Sequence, residues 1–128
     1  MKLVMSNLPE ISTGNVRTHL DNEEIILETI QQISKDFGMF GIDLNFRGDI
    51  DHAYMELHRQ LVVQVQELLT NQSELLMSIL YQVDISHHDL TRTQIFFPDY
   101  NQVEIIAHEI IFRDLKKVLF RRYFKSQT

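Results

Sequence analysis

Apolar residues recur at spacings of three and four early in the chain, which is the pattern of a helix with one buried face. The first such set comprises Ile26, Ile30, Ile33 and Phe37. It predicts a helix over about residues 22–37. Glu23 and Glu24 fall in its first turn, where the helix dipole favours anions, and Gly38 is expected to end it in the left-handed conformation.

A longer apolar stripe predicts a second helix over about residues 50–70. Its members are Ile50, Tyr54, Leu57, Leu61, Val65 and Leu68. The segment that follows, at about residues 73–83, is apolar nearly all round and is expected to be buried. Asn71 with Glu74 resembles a capping box, which predicts a break between the two helices. Because no Gly or Pro lies at the joint, one continuous helix is the alternative.

Two further capping signals indicate the remaining helices. Ser86 with Asp89 three residues later is typical of a capping box and predicts a short helix. Asp99 and Gln102 are expected to begin the last helix, which extends to about Phe124.

Between the first two predicted helices, apolar residues alternate with small or polar ones. The apolar positions are Phe40, Ile42, Leu44 and Phe46. Alternation is the period of a β-strand, although a lone strand leaves its backbone groups unpaired. We therefore expect either a short strand at about residues 40–46, paired with the N-terminal segment or with its copy in another subunit, or an extended linker.

Together these elements predict a mainly α protein, a compact bundle of four or five helices with a possible short β-strand at about residues 40–46. Residues 21–128 are expected to form a single helical domain. Residues 1–20 show no period and contain Pro9 and Gly14, so we interpret them as a loosely attached N-terminal arm.

The last helix changes character along its length. One continuous stripe consists of Ile105, His108, Phe112, Leu115, Leu119 and Tyr123. A second apolar set lies on roughly the opposite side: Val103, Ile106 and Ile110. A helix that is apolar on two sides must be covered on both, by the rest of the bundle or by another subunit. Further along, the second line continues as Arg113, Lys117 and Arg121, so it becomes basic.

The charge of the chain also divides near the point where the last helix becomes basic. The 128-residue chain has a formal net charge of −6, which by itself argues against binding to nucleic acid. Residues 1–112 hold 6 of the 12 cations and 17 of the 18 anions, a charge of −11, whereas residues 113–128 carry +5. This basic helix end is expected to engage an acidic partner, a nucleic acid or an anionic membrane, or else to pair with Glu23, Glu24 and Glu28 of the same bundle.

The residue types exclude several chemistries. The chain has no cysteine, so it can form no disulfide or thiolate site. No Glu is followed by His three residues later, and no two His are four residues apart, so the usual helical metal motifs are absent. Residues 43–51 partly match a calcium-binding loop, but Arg47 stands at its fifth position and Tyr54 at its twelfth. We predict no metal site and no cofactor.

Two groups of residues invite a catalytic interpretation. Ser86, His87 and Asp89 lie close together in sequence, but helix capping explains them better than a triad does. His108 lies on the main apolar stripe of the last helix, where a buried, hydrogen-bonded histidine is the simpler expectation. We predict no catalytic residue.

Three functional hypotheses remain. The first is a non-enzymatic protein that associates with itself or with another, acidic protein, with Val103, Ile106 and Ile110 in the contact and Arg113, Lys117 and Arg121 beside it. The second is a nucleic-acid-binding accessory protein that uses the basic helix end. The third is a ligand-binding or enzymatic bundle around His108. The N-terminus lacks an export signal and no apolar run is long enough to cross a membrane, so a cytoplasmic protein is expected.

Overall fold

A computed structural model describes residues 8–46 and 51–126. Over these ranges the chain forms six helices and no strand, which confirms the mainly α prediction. The helices are α1 Val16–His19, α2 Glu23–Gly38, α3 Ala53–Asn71, α4 Ser73–Val83, α5 His87–Phe96 and α6 Gln102–Ser126. None of the described helices is long and apolar enough to cross a membrane.

Helix α6 is the centre of the fold. It packs against each of α1 to α5. The whole predicted stripe from Ile105 to Tyr123 is buried, and so is the second apolar line on the other side. A helix surrounded on all sides must be apolar on all sides, so the bundle itself accounts for the doubly apolar first half of α6.

Helix α2 begins and ends through short local interactions. Asn22 caps it, because the Ile25 backbone N–H donates to the Asn22 side chain at 2.9 Å. The expectation for Gly38 was wrong: Gly38 is the last helical residue, and the positive φ of 77° belongs to Gly41. Gly41 therefore makes the turn that leads the chain out of the helix.

Residues 42–46 have no strand partner in the described part of the chain. Their apolar positions pack, partly buried, against the core of the bundle. The alternation thus reflects an irregular segment that lays every second side chain on the core. The alternative of a linker is the one that the structure adopts.

The chain between residues 53 and 83 forms two helices, as the predicted break requires. The joint is Gln72, whose φ of −147° and ψ of 59° are non-helical. Asn71 is the last residue of α3, so the capping box predicted for it is wrong. The segment predicted to be buried is buried on one face only: Leu76, Ile79, Leu80 and Val83 are buried, whereas Met77 is 64% and Tyr81 is 87% exposed.

Capping boxes begin α5 and α6. In α5 the predicted box is confirmed: the Ser86 N–H donates to the Asp89 carboxylate at 2.8 Å, and the Asp89 N–H donates to Ser86 Oγ at 3.2 Å. In α6 the box forms between Asn101 and Glu104, with N···O distances of 2.9 and 3.0 Å. The last helix therefore begins two residues later than a cap at Asp99 would place it.

The described part of the N-terminal arm packs onto the bundle. Thr13, Val16 and Leu20 are 4%, 1% and 6% exposed, and α1 contacts α6. Gly14 lies so close to Phe96 that a β-carbon on it would stand 3.0 Å from the ring. Over residues 8–20, the arm is thus a packed element of the fold rather than a loosely attached one.

Candidate functional site

The three apolar residues predicted to form a contact lie inside the chain's own bundle. Val103, Ile106 and Ile110 are 6%, 2% and 0% exposed. Helices of the same chain cover them, so these side chains present no free apolar face. Ile106 still matters for a surface site, because it lies at the bottom of a groove described below.

Two cations of the predicted basic line bond to neighbouring helices. Arg113 forms an ion pair with Asp89 of α5, at 2.7 Å between guanidinium and carboxylate. Arg121 donates to the side-chain oxygen of Gln32 of α2 at 3.2 Å. Arg113 therefore lies against the bundle, whereas the partner of Arg121 is uncharged.

A third cation, Lys117, lies over two buried carboxyl groups. Its Nζ is 3.4 Å from Asp114 of α6 and 3.9 Å from Asp36 of α2. Asp114 is 0% and Asp36 is 3% exposed. Burial, and then the neighbouring Asp36, raise the pKa of Asp114 to about 8, and Lys117 only partly opposes this. Near neutral pH the pair of carboxyl groups therefore retains a proton.

Arg122 joins the basic end of α6 to the acidic start of α2. Its guanidinium is 2.6 Å from Glu28 and 3.0 Å from Glu24. Such pairing within the bundle is one of the alternatives that the charge pattern allows. Part of the positive charge of residues 113–128 is thus matched inside the chain.

His108, the centre of the enzymatic hypothesis, is 1% exposed and has a partner at each ring nitrogen. Nε2 lies 2.8 Å from the carbonyl oxygen of Thr13, and Nδ1 lies 2.6 Å from the hydroxyl of Tyr54. The carbonyl can only accept, so Nε2 carries the hydrogen and Nδ1 accepts from Tyr54. Burial lowers the pKa of His108 to about 4, so the ring is neutral at pH 7.

Aromatic rings of Tyr54, Phe97 and Tyr100 pack around His108. Phe97 lies against it with 4.5 Å between ring centres, and Tyr100 stacks on both Phe97 and His58. The carboxylate of Glu104, four residues before His108 on α6, is used in the cap of that helix. Neither nitrogen of the ring is left for a ligand, which matches the structural interpretation of His108.

A second buried carboxyl group, Glu109, lies beside this cluster. It accepts a hydrogen bond from the hydroxyl of Thr93, and Thr13 Oγ1 lies 2.8 Å from the Thr93 oxygen, to which it donates, and 3.4 Å from the carboxyl group. Burial raises the pKa of Glu109 above its usual range. No pattern in the sequence indicates this network, because Thr13 comes from the arm and meets Glu109 only through the fold.

Within residues 8–46 and 51–126 the structure shows no group of ligands for a metal ion. No three His, Asp or Glu residues of the described chain lie close enough together to hold one. Residues 47–50, the middle of the loop that resembles a calcium site, lie outside the described residues. Ser86 and Asp89 are occupied in the cap of α5 and in the ion pair with Arg113.

The clearest surface feature is an apolar groove between α4, α5 and the first half of α6. We call it the α4–α6 groove. It consists of two adjoining depressions of about 390 and 340 Å³ that share Leu90 and Ile106. Met77 and Tyr81 line the first depression and Ile95 the second, and these three side chains are 64%, 87% and 76% exposed.

Sequence periodicity missed this groove, since α4 is apolar nearly all round and only its neighbours decide which of its apolar side chains stay uncovered. The available signal was the excess of apolar residues in α4, more than one packed face requires. The fold and this surface define a small all-α protein built around a central helix, with an open apolar groove between α4, α5 and α6. In comparisons with known proteins, no family model, no curated protein and no solved structure matches the chain.

Proposed function

We propose that this is a non-enzymatic binding protein that docks a helix of another protein chain in the α4–α6 groove. The observation that carries the proposal is the exposure of Met77, Tyr81 and Ile95 around a concave apolar surface. Large apolar side chains that cluster at a groove are typical of interaction sites, whereas scattered ones are ordinary. The proposed contact therefore uses the groove above Ile106. It does not use Val103 and Ile110, which are buried inside the bundle.

A helix suits the shape of this groove. Its walls are themselves helices, and apolar side chains four residues apart, such as Met77 and Tyr81, match the spacing of a partner helix face. Burying three such side chains contributes roughly 5–9 kcal/mol, while association costs about 4–15 kcal/mol. We therefore expect weak and reversible binding.

The two other hypotheses have less support. Both nitrogens of His108 are engaged within the fold. Arg113, Lys117 and Arg122 each lie within 4 Å of a carboxylate of the same chain, so nucleic-acid phosphate would have to compete with those carboxylates.

The test uses a fluorescent model peptide, a helix with leucines four residues apart and lysines elsewhere, measured by anisotropy. We expect the wild type to bind it and the double variant Met77→Glu, Tyr81→Glu to bind at least about tenfold more weakly, since two anchors are lost. Leu27→Glu, at an exposed apolar position on α2, is the matched control and should bind normally. Equal binding by the groove variant and the wild type, with circular dichroism showing both folded, overturns the proposal.

A further inference from the structure

The residues that line the α4–α6 groove include neither acidic nor basic side chains apart from one histidine. Asp, Glu, Lys and Arg make up 23% of the whole chain, but none of them lines either depression. The polar residues of the lining all carry hydrogen-bonding groups: Ser86, His87, Thr91, Gln94 and Gln102. The groove therefore offers an occupant apolar contact and hydrogen bonds, but no carboxylate, ammonium or guanidinium group.

The charged side chains of the surrounding helices lie outside this lining. On α5, Asp89 pairs with Arg113 at 2.7 Å and lies 3.9 Å from Arg92. On the first half of α6, Glu104 belongs to the capping box and Glu109 is 1% exposed. Helix α4 has one charged residue, in its first turn, and it does not line the groove either. The walls thus carry charges, but the groove surface does not.

Three of the polar lining residues already bond to their own chain. Ser86 closes the capping box of α5, and Thr91 and Gln94 donate to backbone carbonyl oxygens at 3.1 Å. His87 and Gln102, the first residues of α5 and α6, are exposed, and neither side chain forms a hydrogen bond within the described part of the chain. Each of the two lines both depressions, so an occupant of the whole groove meets them.

This chemistry discriminates against a charge on the docked surface. A charged group that loses its hydration without gaining a partner of opposite charge costs free energy. An uncharged amide or hydroxyl group pays less, and it can bond to Gln102, whose carboxamide both donates and accepts. A surface that leaves the wrong partner's polar groups unpaired is a common source of specificity.

We propose that the α4–α6 groove selects a partner helix whose docking face is uncharged, and that Gln102 is a specificity-determining residue. Apolar side chains of that helix fill the two depressions, and an uncharged hydrogen-bonding residue between them contacts Gln102. The proposal rests on the proposed function, since it names the chemistry of the helix that the groove accepts.

Three fluorescent helical peptides test the uncharged face. All have leucines seven residues apart on one face, with one variable residue between them, and lysines elsewhere. The variable residue is Gln in the first peptide and Glu in the second. The third keeps this Gln and changes a Gln on the opposite face to Glu, so the second and third have equal net charge.

Anisotropy at about pH 8, where histidine side chains are neutral, gives the affinities. We expect the wild type to bind the first and third peptides similarly. It should bind the second at least about tenfold more weakly than the third, because a carboxylate on the docking face gains no cation. Equal binding of the second and third peptides overturns the proposal.

The decisive variant is Gln102→Lys, which places a cation in the groove. It should reverse the order and bind the second peptide more tightly than the third. Gln31→Lys, at an exposed position on α2, makes the same change in net charge and should keep the wild-type order. A folded Gln102→Lys protein that keeps the wild-type order overturns the role of Gln102.

The outcomes separate the two proposals. A wild type that binds all three peptides equally refutes the uncharged face and leaves the proposed function standing. A wild type that binds none of them overturns both, and light scattering then shows whether a second copy fills the groove.

Discussion

At the scale of single residues, the buried ionisable groups set how the protein responds to pH. His108 lies between a carbonyl and a hydroxyl and is neutral at pH 7. Because burial disfavours the charged ring, its pKa is about 4, and the folded protein protonates it only in acid. Because its folded-state pKa lies below the usual 6.5, its contribution to stability decreases as pH falls from about 6.5 towards 4. Burial also lowers the pKa of His58, so its contribution to stability likewise decreases as pH falls.

Asp114 has the opposite effect. Its pKa rises from 3.8 to about 8 on folding, so its contribution to stability is complete below about pH 4 and is lost as pH rises through 8. We expect the free energy of unfolding to fall by up to about 1.4 kcal/mol per pH unit in this window, before other groups are counted. Asp114→Asn should remove this slope and be more stable than the wild type at pH 8.5.

Urea denaturation from pH 5 to 9 measures the free energy of unfolding at each pH, and hence both its slope with pH and its value at pH 8.5. Asp99→Asn, at an exposed position just before α6, serves as the control and should keep the wild-type slope. An Asp114→Asn protein whose stability falls with pH as steeply as that of the wild type would contradict this account of the carboxyl pair.

At the scale of elements, the fully buried side chains of α5 are polar, while Leu90 packs partly buried against the core. Only Asp89 and Thr93 of this helix are buried, and Asp89 both closes the capping box and pairs with Arg113 of α6. Because α5 forms one wall of the groove, its attachment also fixes the shape of the proposed binding surface.

The capping box of α5 gives a test at this scale. Ser86→Ala removes the side-chain acceptor for the Asp89 N–H and should lower the free energy of unfolding by about 1 kcal/mol. His88→Ala, at an exposed position in the same turn, is the control and should change it little. Chemical denaturation provides the values, and equal stability of the two variants would contradict a role for the box.

Capping signals in the sequence were sufficient to predict the start of one helix but not of another. Ser86 and Asp89 form the predicted box because a cap depends on residues three apart in one segment. Asn71 does not, although its sequence signal is similar, because the joint between α3 and α4 falls one residue later, at Gln72. Local signals therefore located the helices and set the start of α5, whereas the capping signal alone did not locate the joint between α3 and α4.

At the scale of the whole molecule, the N-terminal arm contributes to the core around α6. Val16 is 1% exposed, and Thr13 joins the hydrogen bonds of His108 and Glu109. The arm thus supplies partners to buried polar groups that would otherwise lack them, which is costly in a protein interior.

Val16→Ala tests whether the arm is part of the cooperative fold. If it is, the lost methyl groups and the cavity should lower the free energy of unfolding by roughly 1–3 kcal/mol. Ser12→Ala, at an exposed arm position, should have little effect. Urea denaturation decides the matter, and a Val16→Ala protein as stable as the wild type would show that the arm contributes nothing to the global stability.

The sequence by itself determined the helical class, the approximate bounds of the five longer helices and the uneven distribution of charge, because periodicity, capping and composition act within a single segment. It could not show that Val103, Ile106 and Ile110 are covered by their own chain, since an apolar stripe looks the same beneath a neighbouring helix and beneath a partner. Nor could it bring Thr13 to Glu109, or Asp36 to Asp114. Only the tertiary structure decided which apolar surface stays open, because exposure depends on which helices lie side by side, and that left the face of Met77 and Tyr81 uncovered.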